Sequence, residues 1–90
     1  MDKQHSINVT VTFALAKEPF HQQFPPETTT GSVRNAAMAE FGVSEDAQSR
    51  YYLTNKGERL QDNTTLDHIA DHAHGLKFTL VKELIQGNGQ

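Results

Sequence analysis

Two stretches of strict apolar and polar alternation, one near each end of the chain, restrict its fold more than any other feature. In the first, Ile7, Val9, Val11 and Phe13 alternate with Asn8, Thr10 and Thr12; in the second, Leu76, Phe78 and Leu80 alternate with Lys77 and Thr79. A period of two marks a strand with one buried face. Both ends of the chain therefore belong to a sheet whose apolar side needs a cover. Between them Val33, Ala36, Ala37 and Phe41 share one face of a helical stretch, and Gly42 is placed to close that helix in the left-handed conformation. The threonines and Ser32 between Glu27 and Ser32 offer several N-cap candidates. Alanines on the inner face let the helix sit close to a sheet.

The remaining segments fill in around this frame. Phe20 to Phe24, with Phe20 and Phe24 on one side, reads as a second strand joined to the first by a turn over Ala14 to Pro19, and Pro25-Pro26 ends it. Val43 returns to the core after the helix. In Arg50-Tyr51-Tyr52-Leu53 the alternation points Tyr51 and Leu53 inward and Tyr52 outward. A Gly57-closed turn follows, then a very short strand carrying Leu60, then the polar run Gln61 to Thr65 and a second lone leucine, Leu66. The two leucines read as pegs pinning a loop of side chains that bond their own backbone. Asp67 to Gly75 reads as one or two irregular helical turns with Ile69 inward, and Val81 to Leu84 as an extension of the last strand.

Arg50, Gly57, Leu60, Asp62, Thr65 and Leu66, together with Gly42-Val43-Ser44-Glu45-Asp46 after the helix, resemble the ubiquitin-like β-grasp family over nearly the whole chain. The resemblance implies an α+β fold with a mixed four- to five-stranded sheet packed on one α-helix, the first and last strands pairing in parallel at its centre. The expected division is a flexible N-terminal segment at 1–6, a domain at 7–84 and a flexible C-terminal tail at 85–90. Ninety residues suit one such domain, which removes only about 60% of its unfolded surface from water.

Several function classes are disfavoured by composition. No cysteine is present, so disulfides, thiolate zinc sites and cysteine nucleophiles are excluded. A net charge of −3 with scattered Lys and Arg argues against nucleic acid. No apolar run approaches the roughly 18 residues of a membrane span. A cytoplasmic monomer that touches neither nucleic acid nor membrane is the expectation. His68, His72 and His74 with Asp67 and Asp71 have spacing that zinc can use on a helix, but the segment reads as a polar surface turn, and no metal or other cofactor is expected. Without a nucleophile elbow, a Gly-rich phosphate loop or evident room for a pocket of about 300 Å³, the chain is not expected to be an enzyme.

The resemblance points instead to the outer sheet face and the chain end. In ubiquitin-like proteins that bind partners non-covalently, exposed residues of the third and last strands form an apolar patch; the matching places here hold Tyr52, Lys77 and Thr79. Of these Tyr52 alone could anchor a partner, so receptors built for an aliphatic patch should pass this surface by. Conjugated members end in paired glycines, since an activating enzyme must reach an unobstructed carboxylate. The places aligned with those glycines hold Leu84 and Ile85, with Gly87 and Gly89 slightly later and Gln90 last.

The leading expectation is thus a ubiquitin-like modifier resembling divergent bacterial members, trimmed by a processing peptidase at Gly87 or Gly89 and then handed by activating-like and conjugating-like enzymes to target proteins. Its rival is a protein-interaction module of the same fold that is never conjugated. A sulfur carrier, which would end on Gly-Gly as synthesised, is the weakest alternative. Lys3, Lys17, Lys56, Lys77 and Lys82 are the lysines that could accept a further modifier.

Overall fold

The computed structural model describes residues 6–70 and 75–85. Strands β1 (Ile7–Phe13), β2 (Phe20–Phe24), β3 (Ser49–Asn55), β4 (Glu58–Arg59) and β5 (Gly75–Leu84) form one sheet in the order β2-β1-β5-β3-β4, with helix α1 (Thr30–Phe41) and the single turn α2 (Leu66–Ala70) between strands. β1 and β5 run parallel at the centre, Val9 opposite Leu76 and Phe13 opposite Leu80. The other pairings are antiparallel. The mixed sheet with its helix is the expected β-grasp arrangement.

The alternation read from the sequence becomes the inside and outside of this sheet. Ile7, Val9, Val11 and Phe13 of β1, Tyr51 and Leu53 of β3, and Phe78 and Leu80 of β5 are buried in one cluster with Val33, Ala37 and Met38 of α1. Phe13 sits among aromatics, its ring centroid 5.3 Å from Phe41 and 6.0 Å from Tyr51. Details of the helix face differ from the expectation. Met38 is buried while Ala36 and Phe41 are only partly so, because α1 is rotated to bring its 33–37–38 stripe onto the strands. Leu76 is likewise partly buried, and β3 runs from Ser49, one residue before the expected start, through Asn55.

The loop pegged by Leu60 and Leu66 turns out to be the N-terminal cap of α1. A helix leaves its first N–H groups without partners inside the helix. Here Thr29 Oγ1 accepts from Ser32 N–H at 3.3 Å, while Thr64 and Asp62 carbonyls accept from Thr30 and Gly31 N–H at 2.8 and 2.9 Å. The Thr30 hydroxyl donates to the Gln61 carbonyl, and Leu66 N–H donates to the Thr28 carbonyl at 2.9 Å. The two segments are zipped together by backbone. Leu66 is 0% exposed. Leu60 follows β4 rather than lying in it: its N–H donates to Leu53 at 2.9 Å, and its side chain is only partly buried.

This close docking makes Gly31 a packing requirement. A Cβ placed there would lie 3.0 Å from the Asp62 carbonyl oxygen and 3.1 Å from Asp62 Cβ, both held by the zipped backbone. Gly31→Ala is therefore expected to cost about 1–3 kcal/mol through overpacking, read as a lower urea midpoint. An unchanged midpoint would mean that the loop is free to move away.

Lys56 and Gly57, at φ 55° and 87°, form a two-residue turn between Asn55 and Glu58. Positive φ at both positions matches the twist of a tight hairpin, and Gly57 takes its share without strain. Because β4 pairs only with Thr54 and Asn55, the rest of that margin of β3 needs another cover. Glu45 supplies it, its carboxylate accepting from Tyr51 N–H at 2.8 Å.

Candidate functional site

Outward-facing residues of β3, β4 and β5 meet in one place around Tyr52. Tyr52 lies directly opposite Val81 of β5, so the two side chains are neighbours on the outer face. From β4, the Arg59 guanidinium stacks over the Tyr52 ring, its carbon 4.2 Å from the ring centroid, and approaches Glu83 Oε1 at 3.5 Å. Beside this stack an open hollow of about 610 Å³ runs to Leu60, Asp62 and Arg34. Its room was not foreseen from chain length, because it lies outside the core, between the capping loop and the sheet face.

On the far side of the hollow Arg34 Nη1 donates to both Asp62 carboxylate oxygens, at 2.8 and 3.0 Å. The pair ties α1 to the capping loop. Arg34 is largely covered, with an 18% exposed side chain, and its Nε–H is buried without a partner among the described residues. Asp62 remains 61% exposed.

The three residues expected to form a partner surface lie on one outer face, in a line running away from Tyr52 rather than around it. Thr79 is diagonal to Tyr52, opposite Thr54 and Thr12, within a row of threonines across β1, β5 and β3; its hydroxyl lies 3.4 Å from that of Thr12. Lys77 is two residues further back, opposite Thr10, with its carbonyl accepting from Asn55 Nδ2 at 3.1 Å. At about 3.3 Å per residue it stands roughly 13 Å along the strand from Val81. Tyr52's neighbours are thus Val81 and Arg59. The sequence carried no sign of this, because the β3–β5 register sets which residue lies opposite and the stack depends on where a two-residue strand ends.

At the other end of β5, Leu84 pairs with Ser49, and Ile85 N–H donates to the Gln48 carbonyl at 2.8 Å. Leu84 and Ile85 are 64% and 40% exposed. The segment between Glu45 and Ser49 closes around this end through its own bonds: Arg50 donates to the Asp46 carbonyl, and Gln48 N–H donates to Asp46 Oδ1 at 2.8 Å. That Gln48 bond, with lesser help from Ser49 and the Lys82 charge, holds the Asp46 carboxyl below its ordinary value of 3.8. Its contribution to the folded loop is present above the unfolded value and lost as pH falls through the lower folded one. In an NMR titration the Gln48 amide should move with a midpoint below 3.8; a midpoint at or above that value would remove the bond from solution.

Gly87 and Gly89 lie outside the described residues, as do Asp71, His72 and His74 of the histidine-rich segment. His68 is exposed on α2 and Asp67 accepts from the Thr65 hydroxyl at 2.7 Å. Among the described residues no group of three His, Cys, Asp or Glu is placed to hold a metal ion, and no helix is long and apolar enough to cross a membrane.

Comparison with known proteins gives a consistent picture. The sequence profile of the family described as BilA ubiquitin-like domain 2 matches residues 8–83. Among solved structures the chain is similar to the ubiquitin of Caldiarchaeum subterraneum, with 28% identity and a TM-score of 0.73 over 91% of this chain and 99% of that one. A designed protein based on ubiquitin shares the fold at 16% identity, with a TM-score of 0.71 over 96% of this chain and 98% of that one. No curated protein matches the sequence.

Proposed function

For a chain that belongs to the BilA ubiquitin-like domain 2 family, we propose that it serves as a ubiquitin-like protein modifier joined to other proteins through a C-terminal glycine. The observation that carries the reading is family membership combined with a topology in which the last strand is also a central one. A rigid head thereby holds the departing chain firmly up to Ile85.

Partner enzymes do the chemistry. A peptidase cuts after Gly87 or Gly89, an activating enzyme uses ATP to convert the new carboxylate to an acyl adenylate, and the acyl group passes through a partner cysteine to a target amine. Glycine at the reacting carbon leaves the approach open, since it carries no side chain. Of the two, Gly89 would give the longer reach: at no more than about 3.4 Å per residue, a fully extended chain would carry Gly87 at most roughly 7 Å beyond Ile85 and Gly89 roughly 14 Å. The lysines of the sheet and turns, Lys56, Lys77 and Lys82 among them, are the surface amines through which one modifier could be joined to another.

Incubation with ATP and an extract of the source cells, followed by intact mass measurement, tests the proposal. A trimmed species and ATP-dependent heavier adducts are expected. An unchanged mass would reject conjugation. It would favour the second reading, an unconjugated interaction module in the cytoplasm, which the Tyr52, Val81 and Arg59 grouping supports.

A further inference from the structure

We propose that the hollow between Tyr52, Arg59 and the capping loop binds a short acidic peptide segment of a partner protein, one carboxylate meeting Arg59 and an adjacent apolar side chain resting on Tyr52 and Leu60. The proposal rests on the hollow's own geometry and holds whether or not the chain is conjugated.

Charge selects the occupant. Two guanidinium groups, Arg34 and Arg59, line the hollow, and its one carboxylate, Asp62, already accepts two bonds from Arg34. Among the side chains lining the hollow, Arg34, Arg59 and Asp62 leave one unit of positive charge, which suits a single carboxylate, and Glu83, not itself a lining residue, is the group such a carboxylate would displace from Arg59. Arg59 is the group that can meet it. Its side chain is 61% exposed, and its ion pair with Glu83, at 3.5 Å, is longer than a good hydrogen bond. The Tyr52 ring beneath holds the guanidinium plane in position, so its donors are presented at little further entropic cost.

The apolar half of the ligand follows from the floor. Tyr52 and Leu60 are each partly buried, offering contact area next to a charged rim. Aromatic and arginine side chains beside a depression are the composition expected of an interface centre. An apolar peptide without the acid would leave Arg59 with only its long contact to Glu83. A basic one would be repelled by Arg59.

The test uses the purified chain with neither ATP nor extract, so its outcome is separate from that of the conjugation assay. A displayed library of random dodecapeptides is selected on the protein, and the best peptide is resynthesised for titration and NMR mapping. Selected sequences should place Asp or Glu beside an aliphatic or aromatic residue, and the amides of Tyr52, Arg59, Leu60 and Asn63 should shift. Arg59→Glu should weaken binding about tenfold or more, and Arg59→Lys should recover only part of it. Thr10→Ala, on the β1 side of the sheet, should bind as the parent does. Absence of binders, selection without acids, shifts confined to β2, or equal binding by Arg59→Glu would each overturn the proposal. Saturable binding of inorganic phosphate at the same amides would overturn the preference for a carboxylate, and concentration-dependent dimers covering Tyr52 would assign the hollow to a second copy of the chain.

Discussion

Phe78→Ala should abolish cooperative folding of this domain or come close to it. Phe78 is 2% exposed, lies on the central strand β5, and pairs with Val11 of β1. Truncating a buried phenylalanine costs about 3–5 kcal/mol, from lost transfer energy and the cavity left behind. A small domain has about 5–15 kcal/mol in total, and ninety residues place this one toward the lower end. Urea denaturation followed by circular dichroism should show either no native baseline or a midpoint lowered by several molar. A loss below about 1 kcal/mol would mean that the core closes around the gap left beside Val11. Phe41, equally prominent in the sequence, is only partly buried, and its truncation should cost visibly less.

The second large effect separates two residues that look alike in the sequence. Leu66→Ala should cost about 2–5 kcal/mol, while Leu60→Ala should cost about half as much or less. Leu66 is fully enclosed, and its backbone N–H is part of the zipper between the capping loop and the chain entering α1. Loss of the side chain therefore loosens packing and helix cap together. Leu60 lines the open hollow and can lose atoms to solvent contact rather than to a sealed void. Paired denaturation curves decide the matter: equal losses would show that Leu60 is as enclosed as Leu66.

Much of this architecture is legible from residues alone because each signal is local. Ile7 to Phe13 and Leu76 to Leu80 alternate so regularly that only a half-buried strand accommodates them, and Gly42, at φ 75°, ends α1 where expected. What eludes local reading depends on register or on a distant partner. Gln61 to Thr65 looks like a self-contained turn, yet its carbonyls serve a helix thirty residues earlier in the chain; Thr30 and Gly31 give no hint of it. Met38 enters the core through a helix rotation that Ala36 and Phe41 seemed to fix otherwise. At the candidate site Tyr52 could be recognised as outward-facing, but Val81 and Arg59 became its neighbours only through cross-strand pairing and the shortness of β4. Gly87 and Gly89, on which the proposed conjugation depends, are visible in the sequence and lie beyond the described residues.

The Glu45 carboxylate on Tyr51 N–H has a consequence for how the molecule behaves in a crowd. With Tyr51 N–H already bonded within the chain, an approaching strand finds one donor fewer on that side of β3, and at this border of the sheet it meets the outer edge of β4, a strand of two residues. A border strand that short, flanked by an acidic side chain, gives a neighbouring copy little backbone to pair with, and leaves the five residues of β2 as the longer open edge.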